Sequence, residues 1–343
     1  MDISVDSLLF ALQQKNLVYN YNFTYYSNRV VDDSVDKYNH PDGWQYSDSG
    51  AKGEVSFDVG TSSCLIQKST DDSTMYFSQV LSEFPRWKNT IIGKKVSACA
   101  VIQNPSSAAT DFKLTFLITD GISISSKTML CKSGETQEIP LKLCVDEQAD
   151  KLEVKIKCST SKAIIYINKV YANIGEIALE TLPCVVKGVI GERKQYIATE
   201  IAPAEELSLC NGVHELTDQF TRLRSVVNNR FGVGDSGNPL LINMGGYFSR
   251  AWDNGSGIDP DAANRDSSEK GIIKGDKVGT VEKDIFLEHN HGLQFSLDKP
   301  VLTGKEGTVN ILNSASTSNT DNESEGKETR PINIAELYTI KWA

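Results

Sequence analysis

Hydrophobic and polar positions alternate with a period of two from Leu17 to about Ala172. Val55, Phe57 and Val59 follow the rule, as do Phe112, Leu114, Phe116 and Ile118, and then Leu152, Val154, Ile156 and Cys158. Turn residues separate these runs at Pro41-Asp-Gly43, Asn104-Pro-Ser-Ser107 and Ser133-Gly-Glu135. Many short alternating strands with no helical stretch between them predict an antiparallel sandwich, one face of each sheet buried and the other wet. A jelly roll suits a segment of this length. Ahead of it, residues 1–15 predict a short helix capped by Asp6 or Ser7, with Leu8, Leu9, Phe10 and Leu12 as its apolar side. So short a helix is marginal alone and must pack on copies of itself, as a trimerisation element, or on its own subunit.

After residues 177–193, which read as a connector, the pattern changes. From Lys194 the chain is rich in Gly and Asn and has few long periodic runs. Ordering glycine costs more entropy than ordering other residues, so this half is expected to lack a conventional core of its own and to share one between chains.

Four runs in the first half are similar to a carbohydrate-binding-module-like jelly roll over residues 16–176. They are Asn16-Leu-Val-Tyr-Asn-Tyr-Asn-Phe23, Asp42-Gly-Trp44, Ile91-Ile-Gly-Lys-Lys-Val-Ser-Ala98, and the closing run of residues 165–175. In such modules the first run is an opening strand. Rings can stack on the apolar faces of sugars, and Trp44, Tyr46, Tyr76 and Trp87 are the candidates.

Three blocks in residues 194–343 resemble a phage tail-collar or tail-fibre tip domain. The first comprises Leu209-Cys-Asn-Gly212, Phe231-Gly-Val-Gly-Asp-Ser-Gly237 and residues 246–260. The second is residues 275–291, ending in His289-Asn-His291, and the third is Glu328-Thr-Arg-Pro-Ile-Asn-Ile-Ala335. One local departure is Leu241-Ile-Asn-Met-Gly-Gly-Tyr-Phe248, where the usual basic residues are missing. The resemblance implies an interleaved trimeric tip at the distal end of a fibre. It also implies that the insertion at residues 292–327 contacts the receptor. Asn313, Ser316, Asn319 and Asn322 are its candidate contacts; a loose surface loop is the alternative reading of that polar stretch.

Residues i and i+2 of a strand share a face, so His289 and His291 point the same way. Two histidines cannot fill a coordination sphere, but three chains around a threefold axis supply six imidazoles. Such ligands suit iron, nickel, zinc or copper, and the fibre tips resembled here hold iron. A structural metal on the axis is therefore expected, iron first, with zinc or nickel as alternatives; a solvated histidine pair is the plainer reading. His40 and His214 are lone histidines in turns, expected at the surface or hydrogen-bonded.

Composition narrows the function further. Asp plus Glu number 45 against 35 Lys plus Arg, a net charge of −10 with no basic run, which argues against nucleic acid and anionic membranes. No apolar run approaches the ~20 residues that span a bilayer, so membrane insertion is not expected. The seven cysteines are odd in number and form no CxxC pair, and several sit in strand patterns as small buried hydrophobes. No secretory signal pattern opens the chain. Synthesis in the cytoplasm is expected, with action on a virion tail fibre or an extracellular fibre.

The chain carries no nucleophile elbow, phosphate loop or HExxH. The run of residues 253–259 has the outline of a calcium loop but lacks its closing Glu, and reads as a turn. The expected function is a homotrimeric fibre-tip adhesin without catalysis, recognising a cell-surface glycan or an envelope protein. A glycan-cleaving tailspike-like enzyme and a bacterially encoded fibre-like adhesin, for example of a predatory bacterium, are the alternatives. The chain starts at Met1 with no long virion-attachment region, which suits a bacterial fibre or a trimmed tip. Elemental analysis of purified protein should find about one metal per three chains, lost as pH falls through the histidine range near ~6.5. Metal-free protein of equal heat stability would make His289 and His291 ordinary surface residues.

Overall fold

The structure is a computed structural model that describes residues 14–28, 40–50, 53–108, 110–283 and 333–343. The expected N-terminal helix lies outside the described residues, except that Gln14 and Lys15 are irregular.

Ten strands build the first half: β1 Gln45–Asp48, β2 Glu54–Asp58, β3 Ser63–Gln67, β4 Met75–Val80, β5 Lys95–Gln103, β6 Phe112–Thr119, β7 Ile124–Cys131, β8 Thr136–Cys144, β9 Glu153–Cys158 and β10 Ile164–Ile174. They form two five-stranded sheets, in the orders β1-β4-β9-β6-β7 and β2-β3-β10-β5-β8. The pairs between these strands are all antiparallel, and the chain crosses repeatedly from one sheet to the other, which is jelly-roll connectivity. The two-residue period sets which side chains face inward. Phe112, Leu114, Phe116 and Ile118 of β6 are all buried, and so are Val154, Ile156 and Cys158 of β9. Val59 departs from the expected alternation because β2 ends at Asp58, leaving it 70% exposed in the following turn. The short helix α1, Trp87–Ile91, lies between β4 and β5.

The opening run of residues 16–23 is not the strand its resemblance implied. Asn20 and Phe23 adopt left-handed backbone angles, φ 52° and 57°, which coil the chain. The Asn20 side chain explains its own conformation. Asn20 Nδ2 donates to the carbonyls of Tyr25 (2.9 Å) and Asp42 (3.1 Å), while its Oδ1 accepts from Tyr25 N. Asp42 in turn accepts from the backbone and hydroxyl of Ser27. Gly43, at φ +86°, is required: a Cβ there would lie 2.7 Å from the Tyr19 ring. The conspicuous residues of both motifs thus close one region of the sandwich.

The second half has its own small core, contrary to the expectation from its glycine content. Val186, Ile190, Leu209, Leu216, Leu223, Val227, Leu241 and Ile340 cluster there with Tyr19 of the jelly roll. A few well-placed apolar residues suffice, with the Tyr19 ring packed among them. The presumed connector is part of this core through Val186 and Ile190, and is bridged to the jelly roll where Cys184 pairs with Asn16. Strands β11 Arg193–Tyr196, β12 Glu206–Ser208 and β13 Leu337–Lys341 form a sheet in the order β11-β13-β12. The last strand of the chain is therefore the central one.

Helix α2, Thr221–Val227, joins the two halves. The first N–H groups of a helix have no partner within it. Here the Glu83 carboxylate, from the turn after β4, accepts from Thr221 N (2.7 Å), Arg222 N (2.9 Å) and the Thr221 hydroxyl. Arg222 is fully buried, and its guanidinium donates to the carbonyls of Leu17, Val80, Leu81 and Glu83. Further along the helix, Asn28 Nδ2 donates to the carbonyls of Ser225 and Val226, and Gly43 N donates to the Ser225 hydroxyl. Glu83→Ala leaves these helix N–H groups buried without acceptors and should lower stability by about 2–3 kcal/mol. Urea unfolding measures this; Glu83→Gln, which keeps an acceptor, should recover part of the loss. An unchanged midpoint for the alanine variant would show that the cap contributes nothing.

Candidate functional site

The four rings expected to meet sugar do not share one surface. Trp44 is fully buried, which corrects the expectation that it binds ligand. It stacks on Phe77 at 4.8 Å, lies 5.3 Å from Phe23, and donates its indole N–H to the Asn20 carbonyl at 3.3 Å. A large ring directly after a tight turn serves here to seal the sandwich. Tyr46 stands opposite Phe77 in the β1–β4 register, whereas Tyr76 stands opposite Ser47, so the two tyrosines point to opposite faces of that sheet. Tyr46 packs against the core, with its hydroxyl donating to Asp48 Oδ2 at 3.0 Å. Burial raises its phenol above the ordinary tyrosine value, so it stays a neutral donor. His40 is buried beside it, edge-on at 5.8 Å. Trp87 opens α1, half-buried, with Lys88 Nζ 5.7 Å from its ring centroid.

Tyr76 remains as a binding candidate on the outer face of the first sheet. Strand register aligns it with Ser47, Lys157, Thr115 and Thr128 in one row across five strands. The Thr115 and Thr128 hydroxyls hydrogen-bond each other at 2.8 Å. The row presents a ring, an ammonium group and hydroxyls to solvent.

His289, His291, Asn313, Ser316, Asn319 and Asn322 lie outside the described residues. Among the described residues, no group of three or more His, Cys, Asp or Glu side chains gathers as a metal site. Cys64, Cys99, Cys131 and Cys158 are buried free thiols, as their strand positions imply, but Cys144 at the end of edge strand β8 is exposed.

Residues 250–280 form a cleft of about 150 Å³, lined in part by Arg250, Trp252, Asp253, Asp259, Arg265 and Asp276. Two arginines and two acids interlock beside it. Arg265 Nη1 reaches Glu282 at 2.8 Å and Asp259 at 3.2 Å, and Arg250 reaches the same two carboxylates at 3.5 and 3.2 Å. Trp252 is 52% exposed, while its indole N–H donates to the Asp276 carbonyl at 3.2 Å, which tethers one edge of the ring. The Asp276 carboxylate accepts from Gly255 N at 2.7 Å and Asn254 N at 3.3 Å.

The turn at residues 253–259 is organised by Asp253 itself. Its carboxylate accepts from the backbone N–H groups of Asp259, Gly257 and Ile258 and from the Ser256 hydroxyl. These donors, the Asp259 N–H foremost, hold its carboxyl down at about 2. Residues 246–260, seen as one block of sequence, do not disclose this cleft. The available signal was Trp252, a large ring among Gly, Asp and Ser with no strand alternation to bury it.

With this geometry in view, known proteins show the following likenesses. No family model matches the chain. Protein RhiB of Rhizobium leguminosarum bv. viciae is 26% identical over 164 residues, 47% of this chain and 74% of that protein. A family 61 carbohydrate-binding module in complex with β-1,4-galactotriose has a TM-score of 0.33 at 11% identity, covering 46% of this chain and 97% of the module. The CBM22-1 xylan-binding domain of Paenibacillus barcinonensis has a TM-score of 0.32 at 12% identity, covering 47% of this chain and 94% of the domain. The enzymatically active domain of tailspike protein 4 of bacteriophage CBA120 has a TM-score of 0.30 at 16% identity. That match covers 42% of this chain and only 21% of the tailspike chain.

Trp44→Ala should cost about 3–5 kcal/mol of stability, as expected for a large buried ring. Tyr76→Ala should stay within about 0.5 kcal/mol of the parent, as outward positions do. Chemical denaturation of both variants checks this. Equal losses would mean that Tyr76 is as structural as Trp44.

Proposed function

We propose that the protein is a receptor-binding fibre adhesin, a homotrimer that recognises a cell-surface glycan through contacts repeated around its axis. The observation supporting this reading is the distribution of exposed apolar side chains. Ile197 (72%), Ile201 (80%), Phe248 (65%) and Ile258 (82%) are among many such residues beyond the sandwich. Association of chains would cover these side chains where they lie together in one patch. The resemblance of this half to a fibre tip supplies the assembly, and the outward row of Tyr76, Lys157, Thr115 and Thr128 offers polar and aromatic contact on the jelly roll.

Weak single contacts suffice in such a protein, because three linked copies gain through effective concentration. The proposed activity is binding without turnover, at the distal end of a fibre outside the producing cell. Light scattering of the purified protein should give three times the chain mass of 37.7 kDa. A glycan array should then report binding without release of reducing sugar. A folded monomer at micromolar concentration would overturn the trimer. Binding to cells without any glycan signal would move the receptor to an envelope protein, and sugar release would make the protein a glycan-degrading enzyme.

A further inference from the structure

We propose that the cleft beside Trp252 binds the terminal unit of a neutral glycan, with the Trp252 indole as the stacking platform and Arg250 and Asp259 as the hydroxyl partners. The inference rests on the glycan-binding reading and adds to it a place and a ligand chemistry.

Three observations converge on this cleft. Trp252 exposes half of its surface, yet the tether from its N–H to the Asp276 carbonyl restrains the ring before any ligand arrives. An exposed aromatic surface held in place loses little conformational freedom on binding, and the apolar C–H face of a pyranose covers it. The second observation is the pairing of Arg250 and Arg265 with Asp259 and Glu282. Their ion pairs set guanidinium donors beside carboxylate acceptors. A sugar hydroxyl is both donor and acceptor, so adjacent hydroxyls match that alternation. Arg250 is itself 48% exposed and can turn an N–H toward a ligand, while Asp259, 6% exposed, is held in place by both arginines.

Charge and size select the class of sugar. Arg250, Arg265 and Lys277 line the cleft together with Asp253, Asp259 and Asp276, and Glu282 adjoins them. The positive charges are therefore already matched, and a sugar carboxylate or phosphate would add one more negative charge beside the Asp253 and Asp276 carboxylates. A neutral sugar has no such penalty. A volume of about 150 Å³ is well below the ~300–1,000 Å³ of pockets that enclose drug-sized ligands. One terminal sugar unit fits that scale, with the remainder of the glycan outside.

The test uses the full chain. Methyl glycosides of galactose, glucose, mannose and N-acetylglucosamine are titrated by ligand-observed NMR, with N-acetylneuraminic acid as the acidic comparator. At least one neutral glycoside should bind saturably, and the acidic sugar should not. Trp252→Ala should weaken that binding about tenfold, with Trp252→Phe intermediate. Asp259 has a structural role, so Arg250→Gln is the second variant; it should also weaken binding while light scattering and the unfolding midpoint stay at parent values. If the array shows glycan binding that Trp252→Ala leaves intact, the adhesin reading stands and this site falls. If only the acidic sugar binds here, the charge argument is wrong and the proposal is overturned. If Trp252→Ala dissociates the oligomer, the ring is an interchain contact, which also overturns it. If no glycan binds in either assay, both readings fail together.

Discussion

The start of helix α2, buried against the jelly roll, is the constraint on which the described structure depends. A helix N-terminus needs acceptors and a buried guanidinium needs both acceptors and negative charge; Glu83 and the carbonyls of residues 17, 80, 81 and 83 meet both needs at one place. Burial alone raises the Glu83 carboxyl and lowers the Arg222 guanidinium, each toward its neutral form. Each charge, and the hydrogen bonds at the helix start, oppose that drift. Loss of either Glu83 or Arg222 from the intact structure would leave the other buried and half-satisfied, which is far costlier than losing a surface ion pair. The sandwich and the small second core are thus joined by polar geometry as well as by shared apolar surface.

The same constraint changes the meaning of the most conspicuous residues. Asn16, Asn20, Asp42, Gly43 and Trp44 invite a functional reading when seen as a motif. They are instead joinery. Asn16 Oδ1 accepts from Val18 N and Ala172 N, and Tyr19 OH accepts from Ile190 N across the junction. A buried polar side chain in a coil substitutes for the missing ladder partners of the backbone. Surfaces free for recognition lie elsewhere, on the outer row of the first sheet and around residues 250–280.

Those surfaces suit a division of labour. The sandwich core is closed and leaves few large apolar residues exposed, whereas the second half leaves many. Apolar exposure favours contact between chains, and the charge-matched cleft with its tethered indole favours a small polar ligand. The two surfaces are separate, because Ile197, Ile201 and Phe248 do not line the cleft.

Alternation along the chain was enough to determine the sandwich. Period two places every other residue of β6 and β9 on one face, and that local rule survives whatever the strands pair with. The turns at residues 41–43 and 104–107 were legible for the same reason, since glycine and proline act on their own backbone. Exposure was not legible. Trp44 and Trp252 are each a tryptophan beside glycine-rich or aspartate-rich turns, yet one is sealed under Phe23 and Phe77 and the other is half open to solvent. The second core was hidden likewise, because its members are scattered from Tyr19 to Ile340 with no common period. Burial is a sum over neighbours distant in sequence, and so is the meeting of Glu83 with a helix more than a hundred residues away. A one-dimensional pattern records only near neighbours; tertiary structure alone decided which polar groups would be closed inside and which rings would face outward.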